Sequence, residues 1–363
     1  TEKLIEISSL VNYSKNPKGF INFLPLGQKV VLRIEERLRY LSEKFEVQEI
    51  KLSKIQPKRH LQQSGRWDKF QEDILMIENS NLINSPTHEE YFIDLIKNVG
   101  FVSNRTLPLE TFQIGEVYRR MRHKSSRGGL KSSEILVYEG YGVNNPQGES
   151  SFKTFENIFN DFFENLGIPF MYHRINQDFA QYAYETLQGL EEIVCDDEGI
   201  EIDNCKNENS VKKRRIIDMA QIFRNDLITI QNMGLKYQSN GISFNPILIS
   251  SGLGFYRTMF SLIDHYRDER GINWPEGVEP YTTAVIPFYP RESDQRDLAE
   301  KIYLELIKKG ERVLLEDRET LSIRKRSLDL IGVRKKMIVS KKDDRLIISE
   351  ENREGIIKPY LQL

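Results

Sequence analysis

Beyond Pro280 the chain alternates between two hydrophobic periods, and this alternation constrains the fold more than any other feature of the sequence. Residues 283–287 and 312–315 are short apolar runs of strand length. Residues 293–309 and 323–331 repeat their apolar side chains every three to four positions, and 336–340 is again a strand pattern. Strand, helix, strand, helix, strand demands right-handed crossovers and gives a small mixed or parallel sheet with helices on its faces. Just before it, Trp274-Pro275-Glu276-Gly277 breaks the chain. The expected division is a domain over residues 1–279 and a small α/β domain over 280–363.

Upstream of that boundary the pattern is different. Val30, Ile34, Leu38, Leu41 and Phe45 recur three or four residues apart, which predicts an amphipathic helix just after Pro25, where a missing amide is tolerated. Residues 45–50 and 74–77 have the composition of short strands. Two further strand patterns, 111–114 and 134–141, enclose a polar stretch, 119–133, rich in Arg, Lys, Ser and Gly. Residues 152–166 have helical spacing and stop at Gly167, a good terminator. Residues 193–195 and 199–202 predict a β-hairpin around Asp196-Asp197-Glu198, and the charged run 204–215 predicts an exposed loop. Residues 247–254 form a buried-strand pattern that runs into glycines and a helix over 255–266. Together these elements place the chain in the α+β class.

Charge is balanced: 52 Lys and Arg against 54 Asp and Glu give a formal net charge of −2. A general basic field is therefore excluded, DNA is not an expected partner, and any RNA contact must be local. Cys195 and Cys205 form neither a metal-type pair nor a disulfide framework, which points to a reducing, cytoplasmic setting. No apolar run approaches the roughly 20 residues of a membrane span, and residues 1–10 lack the pattern of a signal peptide. The G-x-x-x-x-G-K-[ST] loop and the G-x-S-x-G elbow are absent, and Gly252-Leu253-Gly254 lacks the third glycine of a dinucleotide fingerprint. His88-Glu89-Glu90 lacks the second histidine of a zinc helix, so no metal site of the protein's own is expected.

Three segments carry chemistry. Pro86-Thr87-His88-Glu89-Glu90 opens a helix over 91–98. Thr87 there reads as an N-cap with Glu90 closing a capping box, or Thr87 and Glu89 read as a hydroxyl and a carboxylate that hold a cationic amino or imino group. Tyr118-Arg119-Arg120-Met121-Arg122, with His123, Lys124, Arg127 and Lys131, is either a solvated face or a cationic loop in which a strand-end arginine clamps phosphate. Ser251-Gly252-Leu253-Gly254-Phe255-Tyr256-Arg257 is either a plain strand-to-helix turn or a floor where small residues admit a flat ring beside Arg257.

Taken in order, these segments and the helix at Pro25 resemble motifs 1, 2 and 3 of the class II aminoacyl-tRNA synthetases. The stretches G-F-I-N-F-L-P-L-G (19–27), Q-S-G-R-W (63–67), P-T-H-E-E (86–90), D-E-R-G-I-N-W-P (268–275), L-L-E-D-R (314–318) and D-L-I-G-V (329–333) resemble the prolyl-tRNA synthetase family over nearly the whole chain. The resemblance implies a six-stranded antiparallel catalytic sheet and an anticodon-binding-type domain after it. It also implies a homodimer through motif 1, ATP with Mg2+, and adenylation of proline followed by transfer to tRNA. Carried over, Arg119 and Arg257 are the catalytic residues, and Thr87, Glu89, Arg119 and Gly252 meet the amino acid. Arg119, Arg127, Glu134, Gly252, Gly254 and Arg257 meet ATP. The sequence departs from the family pattern at Met121, where a glutamate is usual, and at Ile135, where an aromatic is usual; the S-H-E-F segment is missing near residues 181–190. The stretch between motifs 2 and 3 is too short for a large editing insertion. Two other readings of the same residues are a non-catalytic or repurposed relative acting as an accessory protein, and an amino-acid ligase for an acceptor other than tRNA.

Overall fold

The computed structural model describes residues 1–15, 18–100, 103, 105–120, 129–146, 148, 150–195, 212–239, 241–318 and 320–362. The chain forms two compact units, one of residues 13–22 and 34–261, the other of residues 1–12, 23–33 and 262–363.

The first unit is built on an eight-stranded sheet. Its strands lie in the order Gln48–Glu49, Leu109–Tyr118, Glu134–Asn144, Ile247–Gly254, Lys212–Arg224, Phe179–Glu185 and Met171–Asn176, and Glu191–Cys195 also pairs with Lys212–Arg224. The short edge pairing of Gln48–Glu49 is parallel and the others are antiparallel. Two strands thus extend the six that the resemblance implies.

Period-two alternation on Glu134–Asn144 decides what each face does. Tyr138, Gly140 and Gly142 face the helix Ser150–Leu166, whose Phe155, Phe159, Phe162 and Phe163 are fully buried. Tyr138 meets Phe159 edge-on at 5.9 Å. A Cβ on Gly142 would fall 2.1 Å from the Ser151 Cβ, and one on Gly140 2.5 Å from the Phe155 ring, so these glycines set how closely the helix approaches. Gly142→Ala is expected to cost about 1–3 kcal/mol by overpacking, read as a lower midpoint in urea with an unchanged slope. The opposite face carries Ile135, Val137, Glu139 and Tyr141, and Tyr141 stacks on Phe92 of the helix Glu89–Val99 at 4.5 Å.

The second unit contains a five-stranded sheet in the order Val313–Leu315, Thr283–Pro287, Lys335–Lys342, Arg345–Asn352 and Ile357–Gln362. The first two pairings are parallel and the last two antiparallel, so the sheet is mixed. Val285, Met337 and Val339 pack with Ala299 and Leu306 of the helix Ser293–Lys308, while Ala284, Ile286 and Ile338 pack with Leu328 of the helix Leu321–Leu330. Alternate residues of the same strands therefore serve opposite helices.

Several local expectations are corrected. Residues 212–215 begin a long strand instead of a loop, because their backbone pairs with Glu191–Cys195 and Arg214 meets Glu185 at 3.1 Å. Residues 199–202, the expected second arm of the hairpin, lie outside the described residues. The strand expected at 45–50 shrinks to Gln48–Glu49, since Phe45 and Glu46 close the helix Pro25–Lys44 with Glu46 at φ 60°. Residues 74–77 make only an isolated bridge, Met76 to Ile83.

Candidate active site

One cavity opens on the Ile135–Tyr141 face of the large sheet, and it gathers side chains from distant stretches of the chain. Thr87, Glu89, Arg119, Gly252, Gly254 and Arg257 all line it, together with Ile135, Glu139, Asp218 and Tyr256. Glu134 is not part of this lining. It lies half-buried and accepts a hydrogen bond from Tyr118 Oη at 3.1 Å; burial, then the nearby carboxylate, pushes the Tyr118 hydroxyl up to about 12. Arg127, like Met121, His123 and Lys124, lies outside the described residues.

Arg119 follows directly on the strand Leu109–Tyr118. Its amide donates to Ser133 O at 2.8 Å and its Nε to Pro86 O at 3.0 Å, which fixes the side chain in the cavity lining. Burial lowers its pKa. Glu89 and Glu139 oppose that effect, while Arg66 and Arg257 add to it. Glu89, Glu139 and Arg257 line the same cavity as this half-buried arginine. It remains a cation.

At the other wall the capping-box expectation fails. The helix starts at Glu89 with His88 as N-cap and no side-chain cap. The Glu90 carboxylate is instead taken by Arg66 Nη1 at 3.0 Å and Ser64 Oγ at 3.1 Å. Arg66 also ion-pairs with Glu89. A buried carboxylate that can reach a guanidinium gains more from that pair than from one backbone amide. Burial raises the Glu90 pKa, Arg66 opposes the rise and Glu89 adds to it. Thr87 is fixed through its carbonyl, which accepts from Gln56 Nε2 at 2.9 Å.

Glu139 is a lining carboxylate with no role assigned from the sequence. Its Oε2 lies 2.7 Å from both His88 Nδ1 and Gln113 Nε2. Burial works to raise its pKa, but the contacts with His88 and Gln113 outweigh it and the net shift is downward, so the group is ionised at neutral pH. The available signal was its position, since it shares an alternation face with Ile135, Val137 and Tyr141.

Arg257 enters from the third segment. It donates from Nε to Leu130 O at 3.3 Å and from Nη1 to Asp218 O at 2.8 Å, with Asp218 Oδ2 at 3.6 Å. Asp218 sits at a register shift between residues 218 and 220, which turns it toward the cavity. A Cβ on Gly252 would find no protein atom closer than 4.0 Å. Packing therefore does not account for that glycine; the space a side chain would fill is the cavity itself.

A profile of the class II tRNA synthetase core domain (G, H, P, S and T) matches residues 71–266, which contain every one of these lining residues. The chain belongs to the class II aminoacyl-tRNA synthetases. Among relatives of this synthetase, the proline–tRNA ligase of Anaplasma phagocytophilum is 24% identical over 367 residues, covering 90% of this chain and 84% of the relative. That of Wolbachia sp. subsp. Brugia malayi is 26% identical, covering 89% and 84%. In fold the synthetase is similar to Giardia lamblia prolyl-tRNA synthetase solved with prolyl-adenylate, at a TM-score of 0.77, 16% identity and 99% of this chain against 74% of that one. It is also similar to the Cryptosporidium parvum enzyme solved with L-proline and AMP, at a TM-score of 0.78 and 16% identity, over 99% and 71%.

Proposed function

We infer that this synthetase activates proline with ATP and transfers it to tRNA. The observation that carries this reading is the convergence of a carboxylate wall, Glu89 and Glu139, with two arginines, Arg119 and Arg257, over a glycine floor. Such a site holds an amino or imino cation at one end and phosphate at the other. A carboxylate oxygen of the amino acid attacks the α-phosphorus, pyrophosphate leaves, and a terminal tRNA hydroxyl then takes the acyl group as AMP departs. Thr87 and Glu89 hold the imino group. Arg119 bridges carboxylate and α-phosphate, Arg257 meets the nucleotide, and Gly252 and Gly254 leave room for the flat rings. The named relatives and the ligands of the solved neighbours support proline and ATP.

Magnesium enters with the nucleotide in this reading. No group of three His, Cys, Asp or Glu side chains able to hold an ion occurs among the described residues. A magnesium ion on a triphosphate keeps several waters and needs only one or two carboxylates, and Asp218, beside Arg257 in the lining, would supply one. Bound there, it would neutralise charge on the leaving pyrophosphate. Residues 1–279 form the catalytic domain in this reading and 280–363 an anticodon-binding-type domain. The helix Pro25–Lys44 exposes Leu32 and Tyr40 at 42% and 67%, a face suited to a second copy of the chain in a homodimer. Among the described residues no helix is long and apolar enough to cross a membrane, and the cytoplasm is the expected compartment.

A second reading has one observation in its favour. Ile135 lines the cavity where a base-stacking aromatic is usual, which suits a relative turned to another acceptor or to an accessory role. Amino-acid-dependent ATP–pyrophosphate exchange across the twenty amino acids separates the two. Exchange with proline and charging of tRNA is the expected result; exchange without charging supports another acceptor, and silence with all twenty defeats adenylation.

A further inference from the structure

We propose that Tyr13 is a positioning residue of the nucleotide site, acting through Tyr256 and Arg257. The proposal rests on the adenylation reading above and concerns a stretch of chain, the two-stranded ribbon Val11–Lys15 and Lys18–Phe23, that contributes nothing to the cavity lining itself.

The link runs through residues 129–133, the arm that leads into the strand Glu134–Asn144. Gly129, Leu130, Lys131 and Ser132 line the cavity. Two consecutive residues of the helix Phe255–Tyr266 grip this arm. Successive helical side chains diverge by about 100°, so each takes a different point. Tyr256 lays its ring on Gly129 so closely that a Cβ there would fall 2.1 Å from Tyr256 Cζ. Arg257 donates to Leu130 O at 3.3 Å. The arm and the guanidinium thus fix one another.

The ribbon holds both ends of that arrangement. The Tyr13 hydroxyl hydrogen-bonds the Tyr256 hydroxyl, and the two rings meet edge-on at 6.4 Å and 68°. Gly19 O accepts from the Ser133 amide at 2.5 Å. Gly19 has φ +90°, and a Cβ on it would lie 3.1 Å from Ser133 Oγ, so this contact requires the glycine. Tyr13, Gly19, Ser133 and Tyr256 all belong to the same compact unit as the cavity. Tyr256 is 5% exposed, and Tyr13 meets its hydroxyl from the ribbon side. Loss of the Tyr13 hydroxyl removes one hold on the ring that packs on Gly129. The Leu130 carbonyl that aims Arg257 then loses that hold as well.

The test uses the full chain with Tyr13→Phe, Tyr256→Phe and the double variant. ATP affinity is measured directly by titration calorimetry, and the KM for proline by pyrophosphate exchange. Each single variant is expected to weaken ATP binding about three- to tenfold, the range set by one net hydrogen bond. The double variant should be no worse than either single, because the two hydroxyls act as a pair. For Tyr13→Phe the KM for proline and the melting temperature should hold. Unchanged ATP affinity in both singles, multiplicative losses in the double, or an equal rise in the proline KM each overturns the proposal. A wild-type chain that binds no ATP overturns the adenylation reading first and this proposal with it.

Discussion

Replacement of Arg119 by alanine is expected to slow adenylate formation about a thousandfold, the scale set by removing a preorganised charge from a phosphoryl-transfer site. The in-line attack builds negative charge on the α-phosphate while two anions, carboxylate and phosphate, are pushed together. A guanidinium that lines the same cavity as Glu89, Glu139 and Arg257 is already oriented by Pro86 O and needs no reorganisation when that charge appears. Arg119→Lys keeps the cation but loses the planar fork, so it should recover only part of the rate. Single-turnover formation of pyrophosphate measures the step apart from product release. If Arg119→Ala exchanges pyrophosphate at the wild-type rate with its fold intact, the assignment of the phosphate end of the cavity is wrong.

The same residues show why part of the structure is legible in the sequence and part is not. Residues 283–287 were readable as a short apolar run of strand length, and 293–309 by its helical period. The strands Phe179–Glu185, Met171–Asn176 and Lys212–Arg224 were not. Ala180, Gln181, Tyr182, Ala183 and Tyr184 are all buried, so the first has no alternation to detect. The last opens on four consecutive cations, which resemble a solvated loop until their pairing partner is known. The strands Arg345–Asn352 and Ile357–Gln362 complete the second sheet by antiparallel pairing that the strand-helix alternation does not predict.

The cavity divides along the same line. Thr87, Glu89, Arg119 and Arg257 stand at junctions between elements, where a sequence is punctuated, and all four reach the lining. Glu139 and Asp218 lie inside strands. Their partners, His88 and Gln113 for one and Arg257 for the other, are remote in the chain, so only strand pairing and one register shift reveal them. The Thr87–Glu90 spacing fits a capping box, and the local rule loses because Arg66 supplies a stronger partner for Glu90.

Glu89→Gln is expected to raise the KM for proline about ten- to a hundredfold with little change in the KM for ATP, since a hydrogen bond to a charged group contributes about 1.5–3 kcal/mol. The surroundings of Glu89 sharpen this expectation. Arg66 is shared between Glu89 and Glu90, so the trio carries one surplus negative charge when both carboxylates are ionised. That surplus is what a secondary ammonium would meet, and the glutamine variant removes it while keeping shape and one acceptor. Arg66→Met provides the contrast. It leaves two buried carboxylates without their cation, a change expected to cost about 3–5 kcal/mol of stability, read as a lower denaturant midpoint. Burial already raises the Glu90 pKa, and loss of Arg66 raises it further, so Glu90 takes up a proton and the damage should shrink as the pH falls toward the carboxylate range. Glu89→Gln, by contrast, leaves the Arg66–Glu90 pair in place and should show no such recovery. A proline KM that stays at the wild-type value in Glu89→Gln would move the imino group elsewhere in the cavity, with Glu139 as the remaining carboxylate to receive it.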